Sequence, residues 1–574
     1  MLDPLEQRVL LNADVLALDL ATVYADQRDS DLLVRLHQEN LDLTDGSATV
    51  QRVQIIDRQG GAVLAFGDLA DISAVSIVGG TGNDQVTFDA LSFGETAPFS
   101  FSMAGGEGID RLTFGTQRST FWTVNDLNAG FAHDNAVTLS FDGVEWLTGS
   151  DGNEDTFVIT ESGSLSGGLD GGALGFDTMI FDGGSFDTVT YRATDATSGF
   201  YERDADSLFF TGLEPIYDNL DVNHRIIDIS PESDSDTGPT TAILRVGTGF
   251  DFEIVSATTP DVSFESALFS APNESLTITS DRNAAKVAGV LDRYVTLDID
   301  GLSTNFTGDL IVETEVINVN ADLGSVGDRL SSVTLRASDS GASNGLWGNL
   351  SGVTTATTAV TVNANVYATG NVEFSATASR SPTTLQDFAG DVLQGVLPDA
   401  FFDSGYFDGL AAVEGVVGVL PPTQSPLQIP TLSASTIVRN GVTIDITTGN
   451  LTVSAATQLD VNVTGENSLF GSQLTFAEND TRAEIEDGVT VSVGGLVEIA
   501  ATDTTNIDIT LDFDDSTLMT LPEDFGTDTK QASGFGIAAS ILTLDRDTQA
   551  LVGSGTVTSA GLTVTAVNAG AVVN

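Results

Sequence analysis

Short stretches of alternating apolar and polar residues recur along the chain, and glycine-rich turns separate them. Residues 79–88, GGTGNDQVTF, show the unit. Paired glycines and an Asp form a turn that leads directly into a strand, whose Val86 and Phe88 fall on one face. Glycine suits such a turn because it adopts backbone angles that other residues avoid. The pattern therefore predicts a repeated turn followed by a strand.

Further copies of this unit follow the first. A second copy covers residues 105–114, and looser copies cover 149–158, 171–180 and 183–191. A calcium roll needs a tandem nonapeptide repeat, and the first glycines of these copies are too widely and too unevenly spaced to predict one. The steps from Gly79 to Gly105 and from Gly149 to Gly171 are similar in length. They still allow neighbouring turns to stack on one edge of a wider coil.

A second repeat family occupies the last third of the chain. It reads GNVEFSA from Gly370, GNLTVSA from Gly449, GLVEIAA from Gly495 and, shifted at the glycine, GLTVTA from Gly561. A longer match aligns residues 474–488 with 542–555, Leu474 with Leu542 and Asp480 with Asp547. Such repeats are typical of a β-solenoid, in which each coil buries its apolar face against the next. A row of separate β-sandwich modules is the alternative.

The remaining segments add hairpins and interruptions. Alternation over residues 32–66, with Asp45-Gly46 and Gly60-Gly61 as turns, predicts β-hairpins. Residues 228–241 predict a linker or long loop. The Pro-rich and aromatic residues 381–432 predict an insertion that projects from the stack, whose aromatic side chains form either a contact surface or a local plug.

These shifts divide the chain into five segments and define the fold class. The segments are an N-terminal motif (1–20), a glycine-aspartate turn β-repeat region (21–220), a second β-repeat region (221–380), the insertion (381–432) and β-strand repeats (433–574). The predicted fold is all-β, an elongated repeat architecture of the β-solenoid type, similar to a right-handed β-helix, with loop insertions. The last repeat stops at Asn574 without a polar cap, which predicts a truncated piece of a longer protein or a covered last strand.

The charge of the chain limits the classes of partner that we expect it to bind. The chain has 82 acidic and 21 basic residues, a net charge of -61, and only two lysines. Nucleic acid is not an expected partner, because phosphate binding needs clustered Lys and Arg. An acidic surface suits a salty or calcium-containing exterior, although acidity also keeps a large repetitive protein soluble.

No transmembrane segment or secretory signal peptide is predicted. Asp14 and Asp19 interrupt the apolar residues 9–21, and Glu414 interrupts residues 410–420. The first residues lack the basic segment and clean apolar core of a signal peptide, so export would need another signal.

The sequence offers little for catalysis. There are no cysteines, which excludes disulfides, thiolate metal sites and a thiol nucleophile. His37, His133 and His224 are the only histidines, and no Ser or Asp stands at a spacing that suggests a triad. Accidental Asp pairs are inevitable among so many carboxylates. We therefore expect no enzyme activity, no catalytic residues and no zinc.

The Asp side chains of the turns are the candidate metal ligands. Ca²⁺ takes roughly six to eight oxygen ligands, which carboxylates and carbonyls of stacked turns supply together. The candidates are Asp84, Asp110, Asp155, Asp177 and Asp187, with Asn83 as a helper. Asp177 with Asp155 or Asp187 is the first pair to consider. The alternative is that the turns serve only the geometry of the chain.

Several segments resemble those of giant bacterial exoproteins. Residues 5–14, LEQRVLLNAD, resemble the LEPR-XLL motif near the start of these proteins, with Gln7 where the motif has proline. Residues 144–216, including EWLTGSDGNEDTFVI and GLEPI, look like the segment that follows, with hemolysin-type (RTX-like) turns. The later repeats are similar to those of filamentous-haemagglutinin-type adhesins.

The resemblance implies a non-enzymatic structural or adhesin-like protein. It would be a monomeric rod, extracellular or on the bacterial cell surface, that binds cell-surface or matrix glycans or proteins and has a weak calcium role in its first third. A carbohydrate-active β-helix enzyme, a lyase or hydrolase, is the alternative. A groove with convergent Asp, Arg and aromatic residues along one coil face would favour the enzyme.

Overall fold

A computed structural model describes most of the chain, which folds into two compact units. It describes residues 15–24, 28–41, 48–93, 99–134, 136–229, 240–257, 264–280, 295–341, 353–380, 427–466, 472–512 and 539–573. Unit 1 comprises Met1–Ile229 and Val246–Glu274, and unit 2 comprises Ser230–Arg245 and Ser275–Asn574.

Nearly all of the regular structure is β-strand. A four-residue α-helix, Leu20–Val23, and a 3₁₀ helix, Ala90–Phe93, accompany the strands of unit 1. Up to residue 269 the strands are β1 Val15–Asp19, β2 Ser30–Leu41, β3 Ala48–Asp57, β4 Ala62–Asp68, β5 Ala74–Val78, β6 Asp84–Asp89, β7 Phe99–Ala104, β8 Arg111–Gly115, β9 Thr120–Asp126, β10 Ala129–His133, β11 Val137–Asp142, β12 Trp146–Thr148, β13 Asp155–Thr160, β14 Gly168–Asp170, β15 Thr178–Asp182, β16 Ser185–Ala193, β17 Gly199–Arg203, β18 Asp206–Thr211, β19 Ile216–Asp218, β20 Asp221–Asp228, β21 Thr240–Arg245, β22 Phe252–Ser256 and β23 Ala267–Phe269.

The other strands belong to unit 2, as does β21. They are β24 Ser275–Thr279, β25 Val295–Ile299, β26 Asp309–Thr314, β27 Val316–Val319, β28 Ser332–Gly341, β29 Val353–Val362, β30 Val366–Ala368, β31 Val372–Arg380, β32 Leu427–Val438, β33 Thr443–Ile446, β34 Leu451–Glu466, β35 Ser472–Ile485, β36 Thr490–Val493, β37 Leu496–Asp512, β38 Ala539–Val552, β39 Thr556–Thr558, β40 Gly561–Ala569 and β41 Val572–Val573.

Mainly parallel pairing joins the coils of unit 1 into two sheets. The first sheet has the order β1-β5-β7-β11-β10-β9-β13-β15-β19-β23-β22, in which only β10 and β22 run antiparallel to their neighbours. The second has the order β4-β3-β2-β6-β8-β12-β14-β18-β17-β16-β20, with antiparallel pairing in β4-β3-β2 and in β18-β17-β16.

The core of unit 1 lies between these two sheets. Val86 and Phe88 of β6 are fully buried, as the alternation in the sequence predicts. They pair in register with Leu112 and Phe114 of β8, so like residues line up from coil to coil. The ring of Phe88 lies 4.3 Å from that of Phe101 in the opposite sheet. The predicted unit of a turn followed by a strand is therefore confirmed.

The described part of unit 2 forms three parallel sheets. Their orders are β21-β25-β27-β29-β32-β35-β38, β24-β26-β28-β31-β34-β37-β40 with β41 also on β37, and β30-β33-β36-β39. The predicted second repeat family stacks in register, because Val372 pairs with Leu451, Leu451 with Val497, and Val497 with Leu562.

The longer repeat needs one correction. Asp480 pairs with Asp547, as expected. Thr475, however, pairs with Leu542, so the match of Leu474 with Leu542 is wrong by one position. The register that joins Asp480 to Asp547 applies throughout, because β35 and β38 pair without a shift. These continuous parallel ladders confirm an all-β, solenoid-like repeat fold rather than separate sandwiches.

The predicted hairpins are confirmed where the structure describes them. The hairpins form between β2, β3 and β4, and Gly60-Gly61 is a turn between β3 and β4, whereas Asp45-Gly46 lies outside the described residues. Residues 1–14 of the N-terminal motif and residues 230–239 of the expected linker also lie outside them.

The end of the predicted insertion needs a second correction. Residues 381–426, with the aromatic cluster, lie outside the described part of the chain. The strands resume at Leu427 rather than at 433, and β32 includes Pro430. In β32, Pro430 pairs with Thr354 of β29.

Among the described residues, no helix is long and apolar enough to span a membrane.

Candidate functional site

The glycine-aspartate turns of unit 1 stack at the corners between its two sheets. At the first corner, the N–H of Gly79 donates to the Ala104 carbonyl at 2.6 Å, and the N–H of Gly105 donates to the Asp142 carbonyl at 2.8 Å. A Cβ atom on Gly79 would lie 1.6 Å from the Gly105 carbonyl oxygen. Glycine is required here because the next coil passes directly over it.

Acidic side chains link these stacked turns through the backbone. The N–H of Asp84 donates to Oδ1 of Asp110 at 2.7 Å, and the N–H of Asp110 donates to Oε2 of Glu145 at 2.7 Å. Oδ2 of Asp84 accepts the N–H of Gly80 at 2.8 Å. Asp84 and Asp110 are buried. The carboxylates therefore satisfy backbone donors that stacking would otherwise leave buried and unpaired.

A second corner repeats this arrangement. The N–H of Asp155 donates to Oδ1 of Asp177, on the next turn of the stack, at 2.7 Å. Asp155 also accepts hydrogen bonds from the Ser150 N–H, from Asn153 and from Thr120. The structure thus brings together the first pair that the sequence indicated.

Asp187 and Asn83 have other roles. Asp187 lies in β16, where its exposed N–H donates to Oδ1 of Asp204 at 3.1 Å, so it does not join Asp177. Asn83 links two coils of the first corner in the same way as the aspartates, because its Oδ1 accepts a hydrogen bond from the backbone N–H of Ile109 at 2.8 Å.

Burial raises the pKa of one carboxyl group at each corner. It raises the pKa of Asp110 to about 7, and the negative charges of Asp84 and Glu145 add to this shift. Burial likewise raises the pKa of Asp177 to about 7, with additional repulsion from Asp155 and other acids. Oδ2 of Asp110 is buried without a hydrogen-bond partner. These carboxyls therefore titrate near neutral pH instead of near pH 4.

Calcium binding at the corners stays a prediction. Within the described ranges, no three or more His, Asp or Glu side chains are grouped so that they could hold a metal ion. The corner carboxylates instead accept hydrogen bonds from backbone amides.

A row of aromatic and arginine side chains crosses the outer face of the second sheet. Neighbouring strands pair Arg111 with Trp146, Trp146 with Gly168, Gly168 with Phe209, Phe209 with Phe200, and Phe200 with Arg192. We call these six residues the aromatic row. The five side chains of the row point outward, because the alternating residues, such as Leu147, Leu169 and Phe210, are buried in the core. With strands ~4.8 Å apart, the row spans roughly 24 Å.

Gly168 allows the rings of the row to approach each other. Trp146 and Phe209 stand on the strands to either side of Gly168, yet their ring centroids are 5.8 Å apart. A Cβ atom on Gly168 would lie 3.1 Å from each ring. Phe200 adds an edge-on contact with Phe209 at 5.2 Å. The three rings therefore form one continuous apolar patch.

A hollow of about 680 Å³ lies beside the row, against the first corner. Glu145, Ile109, Ser166 and the three rings of the row are among its lining residues. Asn128, which has a left-handed backbone with φ of 54°, donates from Nδ2 to Glu145 at 2.9 Å and to Ser166 at 3.0 Å. Both oxygens of Glu145 are thereby hydrogen-bonded, one to Asn128 and one to Asp110.

A second row of polar side chains runs parallel to the aromatic row, two residues along each strand. Thr113 pairs with Thr148, Thr148 with Asp170, and Asp170 with Thr211. The Thr211 hydroxyl lies 2.8 Å from that of Ser198. We call these five residues the hydroxyl row. The sheet therefore presents an apolar strip edged on one side by hydrogen-bonding groups.

The sequence did not indicate this surface. Alternation alone places Trp146 and Phe209 on the polar side of their strands, opposite Leu147 and Phe210. The alignment of Trp146 with Phe209 depends on the register between strands that are far apart in sequence. The antiparallel strands β16 and β17 lie between them along the chain. No family model, curated protein or solved structure matches this chain.

Proposed function

We propose that this protein is a non-enzymatic, adhesin-like repeat protein that acts outside the cell or on the bacterial surface. The aromatic row carries the proposal. Its three rings are partly exposed and contact one another, and a contiguous apolar strip on the surface of a soluble protein commonly marks a binding site. Arginines stand at the two ends of the strip, and hydroxyls follow one side. The stacked corners supply a rigid scaffold, and rigid scaffolds position binding surfaces well.

The acidic composition supports an exterior location. A net charge of -61 requires screening by counterions, which salty or calcium-containing surroundings supply. Partners in this proposal are glycans or proteins of a cell surface or matrix, and the protein acts as a monomer.

An adhesion assay tests the proposal. Beads coated with the full chain are applied to surfaces that carry polygalacturonate, dextran sulfate, dextran, collagen or fibronectin, with albumin-coated beads as the control. We expect attachment to at least one surface well above the control. Attachment no greater than that of albumin beads on every surface would contradict an adhesin-like role.

A carbohydrate-active enzyme is the second candidate, because the hollow combines a carboxylate, Glu145, with aromatic rings next to Arg111. The contacts of Glu145 favour binding over catalysis, since both of its oxygens already accept hydrogen bonds. Incubating the same polysaccharides with the chain and measuring reducing ends and unsaturated products separates the candidates. Binding without product release is expected, and steady product formation would establish the enzyme.

A further inference from the structure

We propose that the aromatic row binds an acidic polysaccharide, whose sugar rings pack on Trp146, Phe209 and Phe200 and whose carboxylate or sulfate groups pair with Arg111 and Arg192. This inference rests on the proposed adhesin-like function and names its ligand class and its site. It concerns unit 1 alone, since all residues of the row lie there.

The arginines at the two ends of the row favour an anionic ligand. Basic residues are scarce, 21 against 82 acids, yet one arginine stands at each end of the row. Arg111 is exposed and lies 4.3 Å from the centroid of the Trp146 ring, and it takes part in none of the salt bridges between residues that the structure describes. A guanidinium held on an aromatic ring can still offer its N–H groups to a carboxylate or sulfate.

The other end of the row is similar. The guanidinium of Arg192 lies 4.7 Å from the Phe200 ring centroid and 3.7 Å from Oε1 of Glu202. Glu202 is partly exposed, so its contact with Arg192 is a surface pair that contributes at most about 1 kcal/mol. Asp228 of β20 also stands opposite Arg192 across the sheet. A ligand anion at this position therefore shares the guanidinium with neighbouring carboxylates.

The shape of the surface favours a chain-like sugar. Sugar rings carry apolar C–H faces together with hydroxyls, and this surface offers both complements. The three rings form an apolar strip, while Thr148, Asp170 and Thr211 of the hydroxyl row run beside it. The hollow at 680 Å³ has the size of a small-molecule site, roughly 300–1,000 Å³, which suits part of a chain whose remainder follows the row.

A protein partner fits this surface less well. Protein-binding hot spots are enclosed by residues that exclude water from the centre of the contact. Here Asp170 and the hydroxyls follow the strip at a distance of two residues along the strand, so polar groups lie close to its centre. Such groups need hydrogen-bond partners along the whole contact, which a polyhydroxylated ligand provides.

Binding of the full chain to soluble polysaccharides, measured by isothermal titration calorimetry, tests the proposal. Polygalacturonate is compared with its methyl ester, and dextran sulfate with dextran, so that each pair differs in charge. We expect binding to at least one acidic polymer and at least tenfold weaker binding to its uncharged counterpart, because a charge-assisted contact is lost. The two acidic arms distinguish carboxylate from sulfate recognition.

Variants locate the site. Trp146→Ala and Arg111→Gln are each expected to weaken binding to the acidic polymer about tenfold or more. Two matched controls lie outside the row. Phe121→Ala removes an exposed ring of the first sheet that stacks on His133, and Arg28→Gln removes an arginine that lies 4.2 Å from the Tyr24 ring. Both controls should keep affinity within about twofold.

The outcomes are separable. If Trp146→Ala does not fold, Arg111→Gln still decides, because Arg111 is exposed. No binding to either acidic polymer, or binding that neither row variant weakens, would overturn the proposal. Bead attachment to collagen or fibronectin that Trp146→Ala abolishes would show a protein interface instead. Bead attachment that Trp146→Ala leaves intact would leave the adhesin-like function standing with its site elsewhere.

Discussion

The backbone N–H of Asp84 donates a hydrogen bond to Oδ1 of Asp110, on the next turn of the stack, at 2.7 Å. This contact makes the carboxylate of one coil the acceptor for the backbone of the previous coil. Asp110 in turn donates its own N–H to Glu145. The acidic residues of the turns therefore hold consecutive coils in register, and burial raises the pKa of Asp110.

Asp110→Asn should change how stability depends on pH. The pKa of Asp110 is raised from 3.8 to about 7 in the folded protein, so the folded state binds a proton more tightly than the unfolded state does. The contribution to stability is then complete below about pH 4 and is lost as the pH rises through 7. This shift in pKa corresponds to at most ~4 kcal/mol of unfolding free energy. Asparagine mimics the protonated acid, so we expect the stability of the variant not to decline in this way as the pH rises.

Urea unfolding between pH 4 and 8 measures the effect. The free energy of unfolding of the wild type relative to Asp110→Asn should fall as the pH rises from 4 to 8. Asp187→Asn is the control, because the exposed Asp187 is not stacked with another turn. A constant difference between wild type and Asp110→Asn over this range would show that Asp110 does not titrate there.

Much of the fold could be predicted from the sequence because alternation and repeats report local structure directly. The turn at Gly79 and the register of Val372 on Leu451 followed from residue pattern alone. The later repeat also uses a side-chain acceptor at its turn, since Oδ1 of Asn371 accepts the N–H of Asn450 at 3.0 Å.

The candidate site could be predicted only in part. Asp155 and Asp177 share one turn pattern, and the sequence indicated Asp177 together with either Asp155 or Asp187. The structure joins Asp177 to Asp155 through the Asp155 N–H. The contact between Trp146 and Phe209 was not indicated, because the two are far apart along the chain and the antiparallel β17 and β16 intervene before the next coil. Glu145 carries no glycine-aspartate signature, and its part in the first corner depends on a register that only the folded chain reveals.

Gly105→Ala should destabilise unit 1 strongly. The added Cβ atom would lie 1.8 Å from the Gly143 carbonyl oxygen, which belongs to a backbone that cannot move without breaking the stack. We expect a loss of at least ~2 kcal/mol in unfolding free energy. Gly67→Ala is the matched control, since its Cβ would meet only Ile72 side-chain atoms at 3.5 Å. Equal stability of the two variants in urea would contradict close stacking.

Arg225→Met should cost far more than the same change at an exposed ion pair. Arg225 and Asp218 are both about 1% exposed and hydrogen-bond to each other, so the variant leaves a buried carboxylate without its cation. The expected loss is about 3–5 kcal/mol. Arg336→Met, which breaks the exposed pair with Glu373 at 2.9 Å, should cost less than ~1 kcal/mol. Similar unfolding midpoints in urea would refute the difference.

Calcium should raise the thermal midpoint of the wild type if the stacked corners bind it. A ligand at ten times its Kd stabilises the folded state by ~1.4 kcal/mol. Asp110→Asn and Asp177→Asn should each reduce the shift, whereas Asp187→Asn should not, because Asp187 lies in β16 and its N–H bonds to Asp204 instead of to a stacked turn. Differential scanning calorimetry at millimolar Ca²⁺, with Mg²⁺ as the control, measures it. An unchanged thermal midpoint at millimolar Ca²⁺ would contradict calcium binding at the corners.

Attachment of coated beads to polygalacturonate and dextran sulfate surfaces tests most directly whether this protein adheres through the aromatic row. Beads that carry the wild-type chain or Phe121→Ala should attach to at least one of these two surfaces, and beads that carry Trp146→Ala should attach to that surface no better than albumin-coated beads. Equal attachment of the Trp146→Ala and wild-type beads, or no attachment of wild-type beads to either surface, would contradict the account.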